Sequence, residues 1–176
     1  MRIGIVALQG DVREHQRMLE RLGVEVRLVR REEDLQGVEG LIFPGGESTT
    51  QRRLLQRYGL WDRLRAELQD GLPAYGTCAG AILLAQVVDE DEDYGMNLLP
   101  VQIRRNAWGR QRESFEAPVF LEGEEQPFPG VFIRAPRIQD SGDARVLGRL
   151  EDGEPVLVRK GHLLVSTFHP ELTEDL

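Results

Sequence analysis

Ala74-Tyr75-Gly76-Thr77-Cys78-Ala79-Gly80-Ala81-Ile82-Leu83-Leu84-Ala85 is the stretch on which the reading of this chain turns. Ala74-Tyr75 leads in as a short apolar run, and Ala81 to Ala85 follows as a helix-like one. Between them, Gly76-Thr77-Cys78-Ala79-Gly80 has the shape of a nucleophile elbow. In such an elbow a strand turns sharply into a helix, and the glycines let neighbouring backbone crowd past a residue held in a strained conformation. The thiol then points out at the carboxyl edge of a sheet, and the helix N-terminus behind it favours a negatively charged sulfur. Cys78 is the only cysteine in the chain. That excludes an internal disulfide and every multi-thiolate metal site.

Working outward, the first half alternates strands and helices. Ile3 to Leu8 is a near-continuous apolar run, as expected for a strand buried on both faces. Gln9-Gly10 makes a turn, and Asp11 stands where it caps a helix to about Leu22, with Met18, Leu19 and Leu22 on one face. Val24 to Val29 alternates like a second strand, and Leu41-Ile42-Phe43 is a third, stopped by Pro44-Gly45-Gly46. Ser48 and Thr49 open a helical stretch with Leu54 and Leu55, continued by Trp61, Leu64 and Leu68 to Gly71-Leu72-Pro73. The order predicts an α/β fold: a mostly parallel central sheet flanked by helices. From about residue 98 the texture changes to short alternating segments at 101–103, 115–120, 131–133, 156–158 and 163–165. These predict antiparallel β ribbons completing or flanking the sheet.

At 176 residues the chain fits one domain. A net charge of −8 argues against a general nucleic-acid or anionic-membrane role, although Arg104, Arg105, Arg110 and Arg112 form a local basic patch. No apolar run is long enough to span a membrane, and no secretion signal opens the sequence. With its free thiol, the chain is expected to be cytoplasmic. The run Asp89-Glu90-Asp91-Glu92-Asp93 reads as a solvated loop, not a metal site.

Phe168-His169-Pro170-Glu171 supplies the other half of the chemistry. In an extended segment residues i and i+2 share a face, and Pro170 restricts the backbone between them. Glu171 can then hold one imidazole nitrogen while the other faces the thiol. Cysteine, histidine and glutamate together read as acyl transfer. His15 and His162 lack such a setting and read as surface residues. Pro44-Gly45-Gly46-Glu47-Ser48-Thr49 follows a strand and opens a helix, so its N–H groups suit a phosphate or an oxyanion. The absence of a following Lys and the nearby nucleophile favour the oxyanion over a phosphate, with a plain tight turn as the remaining reading.

Together these motifs resemble the triad-type (class I) glutamine amidotransferase family, which has a flavodoxin-like fold. Within it they resemble the glutaminase branch that serves pyridoxal 5′-phosphate synthesis. That branch is suggested by Leu8-Gln9-Gly10-Asp11-Val12-Arg13-Glu14-His15, by Arg105-Asn106 with Gly109-Arg110-Gln111, by Ser114-Phe115-Glu116, by Phe132-Ile133-Arg134-Ala135-Pro136 and by Ser166 through Thr173. The resemblance covers almost the whole chain, 1–176, as a single amidotransferase domain.

It implies that Cys78 attacks the side-chain amide of L-glutamine, with His169 as general base and then acid and Glu171 orienting it. Gly46, Glu47, Ser48, Arg105, Ile133 and Arg134 would hold the substrate: Arg105 or Arg134 on its α-carboxylate, Glu47 on its α-ammonium. Gly45, Gly46 and Ala79 would form the oxyanion hole. No metal or cofactor is implied. The implied partner is a (β/α)₈ synthase subunit in a hetero-oligomer, which takes up the ammonia, with Gln9 near the docking face. The labels hydrolase and lyase come with that assembly. A glutaminase serving another acceptor, such as histidine biosynthesis, and a catalytically silent scaffold remain the alternatives. Two departures stand out. Family members usually carry a further C-terminal helix after the His-Pro-Glu-Leu-Thr motif, and Asn97 stands where a glycine before the leucine pair is common.

Overall fold

The computed structural model describes residues 1–107 and 113–175. Arg110, Arg112 and the Gly109-Arg110-Gln111 motif therefore lie outside the described residues. The first strand, β1 (Arg2–Val6), leads into α1 (Val12–Arg21), β2 (Glu25–Val29) and β3 (Gly40–Phe43). Two helices follow, α2 (Ser48–Arg57) and α3 (Leu60–Gln69), then β4 (Ala74–Thr77) and α4 (Ala79–Leu84). The single helical stretch expected over 48–68 is broken because Gly59 takes a left-handed φ of 70°, which ends α2 and restarts the chain as α3. α3 turns Leu60, Leu64 and Leu68 inward at helical spacing, all of them fully buried.

The second half is β-rich. β5 (Ala85–Val88) and β6 (Leu99–Arg104) precede β7 (Ser114–Leu121), β8 (Phe128–Ile133) and β9 (Arg137–Asp140). β10 (Arg145–Arg149), β11 (Pro155–Lys160) and β12 (Leu163–Ser166) complete the strands. Nine of them form one sheet in the order β2-β1-β3-β4-β12-β11-β10-β7-β8. Pairing is parallel from β2 across to β12 and antiparallel beyond it. The expected parallel half and antiparallel ribbons are thus one continuous mixed sheet. β5, β6 and β9 form a separate three-stranded sheet. Of these, β5 and β9, like β10 in the main sheet, were not among the strands expected from the sequence.

The main core packs Phe43, Leu55, Leu60, Leu64, Leu68, Leu83, Leu84 and Leu99 against one another. A second cluster joins Val119, Phe132, Leu150, Val156 and Phe168. There the Phe115 and Phe132 rings stack with centroids 4.7 Å apart, and Phe168 lies 5.7 Å from Phe132. This aromatic cluster anchors the residue immediately before His169. Asn97 has φ of 54°, in the left-handed region that asparagine tolerates better than most residues.

Candidate active site

Cys78 sits between β4 and α4 with φ 49° and ψ −101°, a conformation that L-residues rarely adopt. Its N–H donates to the Ser166 carbonyl (2.8 Å), tying the elbow to the neighbouring β12. Both glycines of the motif are sterically required. A Cβ on Gly76 would lie 2.7 Å from the Gly80 carbonyl, and one on Gly80 would lie 2.1 Å from the Phe43 carbonyl oxygen. The thiol itself is 3.9 Å from the Ile133 carbonyl, a weak contact.

His169 follows β12, and its N–H donates to the Val131 carbonyl of β8 (2.8 Å). Strands on both sides of the parallel–antiparallel junction therefore place the two residues. Glu171 is not on an extended segment, as Pro170 had suggested. Pro170–Leu172 is a 3₁₀ turn, with proline at its first position where the missing N–H costs nothing. The turn still brings Glu171 Oε1 to 2.8 Å from His169 Nδ1, with both side chains buried. Nε2 of His169 is buried with no hydrogen-bond partner, although Cys78 lies close enough to favour the imidazolium. Burial works against that charge, but the Asp11 and Glu171 carboxylates, which accept from the ring, and the nearby Cys78 sulfur outweigh it, and the His169 pKa is pushed up to about 12.

His15 corrects the expectation of a surface residue. It is the buried residue of α1, with Nε2 3.1 Å from Thr77 Oγ1 and 3.5 Å from Glu171 Oε1. Burial pushes its pKa down, against the pull of Glu171 and Asp11. The apolar face expected on α1 is correspondingly weak: Met18 and Leu19 are only partly buried and Leu22 is exposed. His162 is exposed, as expected, and reaches the Leu68 carbonyl at 2.7 Å. Asp11 occupies the N-cap of α1 but makes no capping side-chain bond. The sequence missed Asp11 and His15 as site residues, although their i, i+4 spacing puts them on one helix face.

One cavity of about 480 Å³ is lined by Cys78, His169, Gly46, Glu47, Ser48, Arg105, Ile133, Arg134, Gln9 and Asp11. The sequence-selected side chains therefore converge, apart from three. Glu171 is buried behind His169, Ala79 is buried at the start of α4, and Gly45 packs under the imidazole. A Cβ on Gly45 would meet His169 Cε1 at 2.4 Å, so only glycine fits there. A larger recess of about 790 Å³, with Arg104, Arg137 and Glu154 on its wall, reaches neither Cys78 nor His169.

Charges in the cavity are held by named partners. Arg105 donates through Nε to Asp89 Oδ2 (2.7 Å) and through Nη1 to the Tyr94 hydroxyl (2.7 Å), with its guanidinium 4.2 Å from the Tyr94 ring centroid. Tyr94 also reaches Ser48 Oγ (3.1 Å) and Thr49 Oγ1 (2.8 Å). The acidic run is exposed, as expected, yet its first member holds an arginine of the site. Arg134 pairs with Glu47 at the cavity edge. Gln9 Oε1 accepts from the Glu47 N–H (3.0 Å), and the Gly45 carbonyl accepts from the Asp11 N–H (3.0 Å). The β1–α1 and β3–α2 turns are thereby bonded together.

Known proteins share this architecture over its whole length. A solved structure titled as a glutamine amidotransferase superposes with a TM-score of 0.92 at 48% identity, covering 98% of this chain and 92% of that one. The pyridoxal 5′-phosphate synthase subunit PdxT of Roseiflexus sp. (strain RS-1) is 53% identical over 180 residues, 99% of this chain and 95% of the relative. The protein of the same name from Halalkalibacterium halodurans is 50% identical over 176 residues, 99% of this chain and 89% of the relative. Among the described residues no helix is long and apolar enough to cross a membrane. One expectation is corrected here. The lyase label has no support in these findings, because the matching family description is that of an amidotransferase. That family model matches residues 5–176, and the chain belongs to the SNO glutamine amidotransferase family.

Proposed function

We propose that this chain hydrolyses L-glutamine to L-glutamate and ammonia and passes the ammonia to a synthase subunit that makes pyridoxal 5′-phosphate. The observation that carries the reading is the convergence of a strained Cys78 with the Glu171-bonded His169 on one cavity. The chain's similarity to pyridoxal 5′-phosphate synthase subunits supports the pathway.

In this reading His169 takes the thiol proton and Sγ attacks the carboxamide carbon. The oxyanion forms against the Gly45-Gly46 backbone and the Ala79 N–H. Collapse expels ammonia, which leaves with the proton carried by His169, and a γ-glutamyl thioester remains. His169 then deprotonates a water, which attacks the thioester carbon, and the proton returns to sulfur as glutamate departs. The raised pKa of His169 favours the imidazolium, the form that hands its proton to the departing ammonia. Arg105 is the partner for the α-carboxylate, and Glu47 with Ser48 and Gly46 receives the α-ammonium and the amide. Ile133 and Arg134 close the opposite wall, and Arg134 must exchange its present Glu47 contact for substrate. Gln9 is the proposed docking contact, because it is bonded to the turn that carries the oxyanion glycines. The setting is a reducing cytoplasm, in which the single thiol stays free.

The test is glutamate release with and without the synthase subunit. Strong release only in the mixture supports a partner-gated glutaminase. Equal release by the chain alone removes the gating. An affinity label that spares Cys78 even with the partner present overturns the enzyme assignment.

A further inference from the structure

Asp11 is a helix N-cap that does not cap. An aspartate in that place ordinarily accepts an N–H of the first turn, yet here its side chain makes no such bond. Its Oδ2 lies instead 3.3 Å from His169 Nδ1, on the same nitrogen that Glu171 Oε1 approaches to 2.8 Å. Carboxylates only accept hydrogen bonds, so Nδ1 must carry the proton and the two oxygens share it. Backbone contacts pin Asp11 in place: its N–H is bonded to the Gly45 carbonyl, and its Oδ2 lies beside the Gly45 α-carbon under the imidazole.

We propose that Asp11 is a second carboxylate partner of His169, a positioning residue that stabilises the imidazolium together with Glu171. The inference rests on the reading of His169 as the general base. Among the described residues the groups that face the ring are Asp11 at the N-cap of α1, His15 from α1, Glu171 from the 3₁₀ turn and Cys78 from the elbow. His15 adds little positive charge, since burial disfavours its protonated form. Asp11 in turn is held below the usual carboxylate range, chiefly by its hydrogen bond to His169 and in spite of partial burial. The glutaminase cycle passes through the imidazolium in each half, once before ammonia leaves and once before sulfur is released. A second carboxylate on the far nitrogen lowers the energy of that state both times and keeps Nε2 turned to the reacting groups. Asp11 does so without touching a reacting atom.

The test is Asp11→Asn in the full chain. Asparagine caps a helix as well as aspartate does, so this change removes the charge and little else. With one cysteine and three histidines in the sequence, thiol alkylation and ring resonances are both assignable. Removing Glu171 as Glu171→Gln brings the His169 ring titration down to an accessible range, and Asp11→Asn is then added. The ring midpoint should fall by a further one unit or more, about what a close carboxylate contributes. In the same Glu171→Gln background, the alkaline limb of Cys78 alkylation by iodoacetamide should move to lower pH in D11N and stay in place in D11E. A ring midpoint and an alkylation limb that are both indifferent to D11N overturn the proposal. Failure of the underlying reading looks different: alkylation of Cys78 would then be insensitive to His169→Ala.

Discussion

Cys78, His169 and Glu171 are not equivalent in what their loss removes. Cys78→Ala deletes the only thiol and should lower glutamate release by the mixed complex at least about a thousandfold, with the chain still folded. Residual activity above that level would refute the nucleophile. Glu171→Gln should cost less than His169→Ala, because the first disturbs a partner of the base and the second removes it. The reverse ranking in kcat/KM would contradict these roles. Gly80→Ala should destabilise by about 3 kcal/mol or prevent folding, since its Cβ would meet a backbone carbonyl that cannot swing aside. A denaturant midpoint equal to wild type would show that the elbow has slack.

The elements that carry these residues were unevenly legible. The elbow, the parallel strands β1 to β3 and the helical period through α2 and α3 are readable because apolar periods and paired glycines leave few alternatives, whereas β12, expected in an antiparallel ribbon, pairs in parallel with β4. β9 and β10 are not readable, because Arg137–Asp140 and Arg145–Arg149 are short and carry charged residues that conceal a strand period. The 3₁₀ turn at Pro170 was read as extended for a similar reason, since proline fits both conformations. The burial of His15 is not legible in the sequence because it depends on Thr77 and Glu171, which the fold brings from far along the chain. The same holds for the β5–β6 connection. Its acids are exposed, yet Asp89 binds both the backbone and the side chain of Arg105. Asp89→Asn keeps a residue that tolerates the observed φ of 51° but removes the charge from the guanidinium. It should raise KM for glutamine roughly tenfold with kcat little changed. A fall in kcat at unchanged KM would mean that Arg105 does not serve ground-state binding. In the second core cluster, Phe168→Ala should cost about 3–5 kcal/mol, read by denaturant unfolding, and should also depress activity by loosening His169.

Taken as a whole, the molecule should be most stable near pH 6.5, because three buried or half-buried groups pull in opposite directions. His169 has a folded pKa above its ordinary 6.5, so the stability it contributes is complete below that value and is lost as pH rises toward about 12. His15 has a folded pKa below 6.5, so its contribution is present above 6.5 and lost as pH falls. Asp11, depressed below 3.8, adds a further loss only in stronger acid. Thermal midpoints across pH should therefore fall on both sides. His15→Gln, which can still bond Thr77, should flatten the limb that falls away below 6.5. An unaltered acid limb in that variant would assign the acid sensitivity to other groups.

The position of β12 has a consequence for how the molecule comes into being. Among the described strands the twelfth, β12, lies in the interior of the sheet, pairing with β4 in parallel register, Ser166 beside Thr77, and with β11 on its other side. During synthesis the thiol is made early, with no base to activate it. A nascent chain still short of Leu163 also leaves the β4 edge unpaired. Such an edge and slow non-local pairing invite mispairing, so folding of the centre should be late and rate-limiting. The fold thereby makes reactivity a late product of folding: the thiol gains its base only when β12 slots in beside it.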